Sequence, residues 1–408
     1  MGLAAVPSAY GLGDWLSKYE GQPSWKLASD ETFWEGIRQG YRLKPDYINL
    51  ENGYYCFMPQ ETLEKYISHI REVNYQGPYY MRTIQAENKN KMAAKLAGVV
   101  GAPADEVIIT RNTTESLDMV IGGLDWKPGD EAIMAEQDYG AMLEMFKLVG
   151  RRYGVVNKIL SVPLHPASDE EIVNLYAGAI TEKTRLLMVC HIINVTGQIL
   201  PVRKICDMAH SKGVQVMVDG AHAVAHFHFA MPDLDCDYYG SSLHKWLSTP
   251  LGAGMLWVKK ENIKKVWPLL AEGDRPMDDI SRLNHIGTHP AATDLAISDA
   301  IDFFNMVGPE RKEARLRYLQ TYWSSRIREL PHISLNTPAD PARSCGIANV
   351  GVKGMKASEV ADKLLKNYRI YTVPIDGQHV NGCRITPNLY TTPAELDVFV
   401  GAMKEMKG

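Results

Sequence analysis

The side chains able to do chemistry in this sequence follow short apolar runs. After 106–110 (EVIIT) come Arg111, Asn112, Thr113, Thr114 and Glu115, which open a helical pattern. After 131–135 (EAIMA) come Glu136, Gln137, Asp138 and Tyr139. Asn194 and the pair Thr196-Gly197 follow 186–191 (LLMVCH), and Asp219-Gly220-Ala221-His222 follows 214–218 (VQVMV). Leu243, His244, Lys245 and Trp246 follow 238–242 (YYGSS). The runs themselves carry almost no ionisable groups. A lone Asp or Lys buried at such a place costs several kcal/mol unless it has a partner. A ligand with opposite charges at its two ends would supply the partners.

Pyridoxal 5′-phosphate is such a ligand. It has a dianionic phosphate, a pyridine nitrogen that works best protonated, a phenolic oxygen, and an aldehyde that a lysine can trap. Asp219 suits the ring nitrogen and Lys245 the aldehyde. Thr113 and Thr114 offer hydroxyls and helix-start N–H groups to the phosphate. Tyr139 offers a flat ring for stacking, and Asn194 and His222 can reach the phenolic oxygen. Each residue also has a plainer reading. An Asp after a strand is commonly a turn or cap residue, a Lys a solvated charge, and paired threonines a helix cap. Order and spacing outweigh those readings: phosphate cradle, stacking group, Asn, Asp-x-x-His, then Ser-x-His-Lys.

The elements that must position these groups are legible as alternation. The five runs above, with 254–258 (GMLWV), read as buried strands. Between most of them lie helical patterns such as 114–123 and 202–212. Strand, helix, strand repeated in this way predicts an α/β unit with a mainly parallel sheet, whose ligand sits beyond the carboxyl ends of the strands. Residues 1–46 read as an arm plus one helix, 47–305 as the large unit, and 306–408 as a smaller α+β unit. In the last, 332–334, 346–352 and 369–373 read as strands, and 357–367 and 392–405 as helices.

On these motifs the chain resembles the aminotransferase class V family of fold-type I pyridoxal-phosphate enzymes. The run 238–257 (YYGSSLHKWLSTPLGAGMLW) is similar to that family's lysine region, and 218–224 (VDGAHAV) to its cofactor-Asp region. The segment 194–201 (NVTGQILP) matches its Asn and T-G-x-x-x-P pattern. RNTTESL (111–117) and DYGAM (138–142) lean toward the isopenicillin N epimerase-like branch. The resemblance implies a fold-type I transferase-like architecture and assigns Asn112, Thr113, Thr114, Ser242 and His244 to the cofactor and its phosphate. It places Thr288 at the phosphate of the neighbouring subunit, hence a homodimer with shared active sites. It puts Arg384 on the substrate carboxylate, where a planar guanidinium fork matches two parallel hydrogen bonds. One departure stands out: cysteine desulfurases of this family need a cysteine on the loop before that Arg, and 374–382 (PIDGQHVNG) has none.

The reading is therefore a pyridoxal-phosphate enzyme acting on an α-amino acid through an external aldimine and a Cα carbanion. Asp219, His222 and Lys245 are its catalytic residues. Epimerase or aminotransferase chemistry comes first and a carbon–sulfur lyase next. Further off stand a zinc hydrolase built on His222 and His226 and a non-catalytic binding protein. Epimerisation, transamination and elimination share the carbanion, so sequence does not choose among them. No metal is expected, because His226 and His228 interleave with Phe227 and Phe229 rather than forming a ligand pattern. Gly11-Leu12-Gly13 follows no strand and lacks a third glycine, so it is no dinucleotide fingerprint.

Composition is consistent with this. The 408 residues are 45% apolar and 23% charged, with a net charge of −4, which disfavours nucleic acid as a partner. No apolar run approaches the roughly 20 residues a bilayer span needs. Six cysteines without a CxxC pair fit a reducing, cytoplasmic setting. The small apolar stretch 1–10 lacks a charged n-region and reads as a frayed end, with a trimmed export leader as the alternative.

Overall fold

The computed structural model describes residues 9–271 and 274–406. The question of a leader at 1–8 falls outside them. The chain opens with helices α1 (Ala9–Ser17), α2 (Ser24–Leu27) and α3 (Glu31–Arg38), then strand β1 (Ile48–Asn49) and helices α4 (Gln60–Gln76), α5 (Pro78–Thr83) and α6 (Gln85–Val99). An alternating stretch follows: β2 (Val107–Thr110), α7 (Thr113–Gly123), β3 (Glu131–Ala135), α8 (Gly140–Tyr153), β4 (Val156–Leu160), α9 (Asp169–Ala179), β5 (Thr184–Cys190) and α10 (Val202–His210). It continues with β6 (Gln215–Asp219), α11 (Met231–Leu234), β7 (Tyr238–Ser242) and β8 (Gly254–Val258). Two long helices, α12 (Ala291–Val307) and α13 (Pro309–Ser324), lead to β9 (Ile333–Leu335), β10 (Ala348–Val352), α14 (Ala357–Tyr368), β11 (Ile370–Tyr371), β12 (Val373–Gly377), β13 (Val380–Ile385) and α15 (Pro393–Glu405).

Among the described residues the main sheet has seven strands in the order β2-β8-β7-β6-β5-β3-β4. Pairings from β7 through β6, β5 and β3 to β4 are parallel, and β8 runs against both its neighbours. Successive side chains of a strand point to opposite faces. Leu187 and Val189, Val216 and Val218, and Met255 and Trp257 therefore join one apolar core. Leu186, Met188, Met217, Leu256 and Val258 join another on the other face. A sheet buried on both faces reads as continuous apolar runs, which is why its central strands are visible in the sequence. β4, with its half-exposed VNKIL pattern, is not.

The second sheet, β12-β13-β10-β9, is antiparallel. Leu319, Trp323, Val360, Leu364, Leu396 and Phe399 pack on it from α13, α14 and α15. Three local readings differ from the structure. The run 369–373, read as one strand, is divided between β11, which pairs with β1, and β12 of the second sheet. The amino-terminal arm is three helices rather than one, because Leu16, Leu27, Phe33, Trp34 and Ile37 form a small core with Phe303 and Val307 of α12. β1, read as the opening of the large unit, pairs in parallel with β11. The Ile48 and Leu50 N–H groups donate to the Arg369 and Tyr371 carbonyls at 2.7 and 3.0 Å, and Leu50 is buried in the core of the second sheet.

Candidate active site

The carboxyl ends of β2, β5, β6 and β7 open into a cavity of about 490 Å³. Its wall includes Asn112, Thr113, Thr114, Tyr139, Asn194, Asp219, His222, Ser242, His244, Lys245 and Arg384. Of the residues assigned to a site from the sequence, Thr288 is the one the structure places elsewhere. It lies exposed on the loop before α12. Gly53, Tyr54, Arg111, Cys190 and Leu251 also line the wall. A larger cavity of about 860 Å³ lies between α1, α3 and α4. It holds none of these residues, and Glu31, Glu35 and Glu61 there pair with Arg315, Arg38 and Lys65.

One end of the cavity is built on the start of α7. Asn112 caps this helix, its Oδ1 accepting the Glu115 N–H at 2.9 Å. The helix cap is thus Asn112 rather than the paired threonines, and the same residue lines the cavity. Thr113 is tied to β7, its N–H donating to Ser242 Oγ at 2.9 Å and its hydroxyl lying 2.7 Å from the same oxygen. Gly254 makes room for this turn: a Cβ there would fall 2.6 Å from the Asn112 backbone. The helix start directs partial positive charge into the cavity, the ordinary site for a phosphate.

At the centre, Asp219 ends β6 and is 4% exposed. Its Oδ1 accepts the Ala221 N–H at 2.9 Å, and it makes no ion pair among the described residues. Burial raises its carboxyl above the ordinary range, against the pull of Ala221 N–H and Lys245. Behind it, Asp138 accepts the Ala135 N–H at 2.8 Å and the Cys190 thiol at 3.1 Å, and burial pushes it up to about 7. Lys245 Nζ lies 2.9 Å from His222 Nε2. Burial lowers Lys245 to about 8, with Asp219 opposing and Arg384 assisting. Burial first, then the Lys245 and Arg384 charges, holds His222 well below its usual range and so neutral. His244 is lowered to about 4 by burial and by Lys245.

Arg384, on β13, is not simply waiting for a ligand. Its Nε and Nη2 donate to Glu51 Oε2 and Oε1 at 3.2 and 2.5 Å, and its Nη1 donates to the Asn194 carbonyl at 3.3 Å. Gly53 permits this packing, since a Cβ there would meet the guanidinium at 2.6 Å. Glu51 also accepts the Tyr54 N–H at 2.9 Å. Nothing in the spacing of the sequence points to Glu51. The same holds for Cys190 behind Asp219, whereas Asp138 is visible after its strand but its bond to the Cys190 thiol is not.

Two observations test whether pyridoxal 5′-phosphate suits these residues. Asp219 is a buried carboxylate lacking a cation, and a protonated pyridine nitrogen would be that cation. Among the described residues the buried Nδ1 of His244 has no hydrogen-bond partner, and His244 lies in the wall shared with Thr113 and Ser242. The group fits. Asp219 would hold the ring nitrogen, Lys245 the aldehyde, and the α7 start with Ser242 and His244 the phosphate.

Comparison with known proteins points to the same cofactor. Residues 58–399 match the family Aminotransferase class-V. The chain is 27% identical to an isopenicillin N epimerase of Streptomyces clavuligerus over 394 residues, 92% of this chain and 98% of that one. It is 25% identical to a cysteine desulfurase of Haloferax volcanii over 335 residues, 78% of this chain and 77% of that one. Among solved structures, a C-DES variant with glycine covalently linked to its pyridoxal-phosphate cofactor superposes with a TM-score of 0.80 at 19% identity. That match covers 89% of this chain and 97% of the other.

Proposed function

The chain belongs to the aminotransferase class-V family, its cofactor is pyridoxal 5′-phosphate, and we propose that it moves a proton at the α-carbon of an α-amino acid. Epimerase or aminotransferase chemistry is the outcome. When bound, the cofactor supplies an aldehyde that captures amines and a ring that draws electron density from the α-carbon. The chain's own residues do the rest. Asp219 would keep a proton on the ring nitrogen, and Tyr139, at the start of α8, would offer its ring for stacking. His222 and Asn194 would serve the phenolic oxygen. Lys245 Nζ, once its substrate is seated, is the base at the α-carbon. Arg384 takes the substrate carboxylate through the second hydrogens of Nη1 and Nη2, since three of its five N–H groups are already used by Glu51 and Asn194.

The observation that carries this reading is the meeting of Asp219, His222, Lys245 and the α7 start in one cavity. A persulfide-forming desulfurase is disfavoured. All six cysteines are buried, and Cys383 on β13 turns its thiol to the Ala357 carbonyl. We further read the enzyme as a cytoplasmic homodimer. No described helix is long and apolar enough to cross a membrane, and six free cysteines suit a reducing setting. Tyr54, Tyr139 and Leu251 leave exposed apolar surface at the cavity mouth, as a face covered by a partner would. The partner's Thr288 would complete the phosphate site.

The test is an amino-acid panel incubated with holoenzyme in deuterated water and read by mass spectrometry. The expected result is deuterium at Cα of recovered substrate, or keto acid, without released thiol. Thiol release with no Cα deuterium in recovered substrate and no keto acid from transamination would overturn the assignment in favour of a carbon–sulfur lyase.

A further inference from the structure

Trp246 follows Lys245 in the chain and is fully buried. Its indole ring stacks on His226, with centroids 3.7 Å apart and planes 11° from parallel. Its carbonyl accepts the ammonium of Lys312, a buried residue of α13. His226 is itself fixed. Its Nε2 accepts the Gly346 N–H at 2.7 Å, so its proton sits on Nδ1 and is donated to the His222 carbonyl, also at 2.7 Å. The platform under Trp246 therefore has every hydrogen bond accounted for.

From that platform the indole N–H donates to His222 Nδ1 at 3.3 Å. An indole nitrogen is a donor only. His222 Nδ1 must then be the acceptor, and a neutral imidazole has one remaining proton, on Nε2. That N–H faces Lys245 Nζ at 2.9 Å. An ammonium has no lone pair to receive it, whereas a free amine has one.

We propose that Trp246 is a positioning residue that fixes the proton of His222 on Nε2 and thereby favours the free-amine form of Lys245. The proposal rests on the reading of Lys245 as the lysine that receives the cofactor. Asp219 from β6, Glu51 and Cys56 from the segment before α4, Arg384 from β13, and His244 from the lysine's own loop also face this amine. Asp219 and Glu51 favour its protonated form and Arg384 opposes it, while burial keeps the Cys56 thiol protonated and uncharged. The tryptophan tips that balance through geometry rather than charge.

Two measurements on the cofactor-free protein decide the matter. In histidine labelled with nitrogen-15, at pH 9, His222 is identified by the signals lost in His222→Gln. It should show a protonated Nε2 and a bare Nδ1; a protonated Nδ1 would overturn the proposal. Trp246→Phe keeps the stack on His226 and removes the donor. Without that donor the amine should hold its proton to a higher pH. Capture of pyridoxal 5′-phosphate, followed by its visible band, should then slow about 3–10-fold at pH 7.5, in proportion to the smaller free-amine fraction. The rate should match wild type at pH 10. A pH profile identical to wild type would also overturn it. If Trp246→Phe does not fold, the wild-type tautomer decides alone. An adduct mapped away from Lys245 would instead fault the functional reading, while the tautomer of His222 is read independently of it.

Discussion

Asp219, His222 and Lys245 are legible in the sequence because each follows a strand, and the spacing Asp-x-x-His with a later Ser-x-His-Lys is hard to produce by chance. Glu51 is not. Its partner Arg384 lies 333 residues away, so no local pattern could announce it. If Arg384 takes the substrate carboxylate, as proposed, it does so while still paired with Glu51. Arg384→Ala should weaken amino-acid binding by about 2–5 kcal/mol, the range for truncating one member of a buried charge pair. Binding of the corresponding decarboxylated amine should change little. Spectral titration with an amino acid and its amine reads both, and an unchanged preference for the amino acid would remove Arg384 from the site. Asp219→Ala tests the ring-nitrogen role separately. Removing preorganised charge of this kind costs on the order of 100-fold in rate. The phosphate contacts stay, so cofactor should remain bound, and activity within a few-fold of wild type would contradict the role.

Elements buried on both faces announce themselves, and edges do not. β5 and β6 each hold an unbroken buried apolar stretch, whereas every residue of β4 is exposed or half-buried. β12 carries Pro374 and three exposed positions at the rim of its sheet. Proline and polar residues are tolerated at such rims because one row of backbone groups has no neighbour to bond. In the proposed site, α7 is the element that would hold the phosphate end. Asn112→Ala removes its cap and should lower stability by about 1 kcal/mol, read as a drop in thermal midpoint of the cofactor-free protein. The freed Glu115 N–H lies one turn into the helix that faces the phosphate. Cofactor affinity, measured by equilibrium dialysis, should therefore fall as well. A lowered midpoint with unchanged affinity would separate α7 from the phosphate.

For the whole molecule, burying Lys245 without its cofactor has a cost that depends on pH. Its titration is lowered from 10.5 to about 8. Below pH 8 the folded and unfolded states are both protonated there, and the full penalty is present. Between pH 8 and 10.5 the unfolded state holds more protons, so stability rises with pH. Lys245→Met removes the group. Its advantage over wild type, both without cofactor, should be greatest near pH 7 and shrink toward pH 10 in denaturant titrations. An advantage independent of pH would mean the lysine is not held in a desolvated place. The proposed homodimer belongs to this scale too. Light scattering at assay concentration should give twice the 45.6 kDa of one chain, and a fully active monomer would refute the shared phosphate site.

The proposed function requires that one lysine receive the cofactor in one cavity. Holoenzyme should show a visible or near-ultraviolet band that bleaches on borohydride reduction, and peptide mapping should place the pyridoxyl group on Lys245. A band that survives reduction, or an adduct on Lys259, Lys260 or Lys312, would contradict the account.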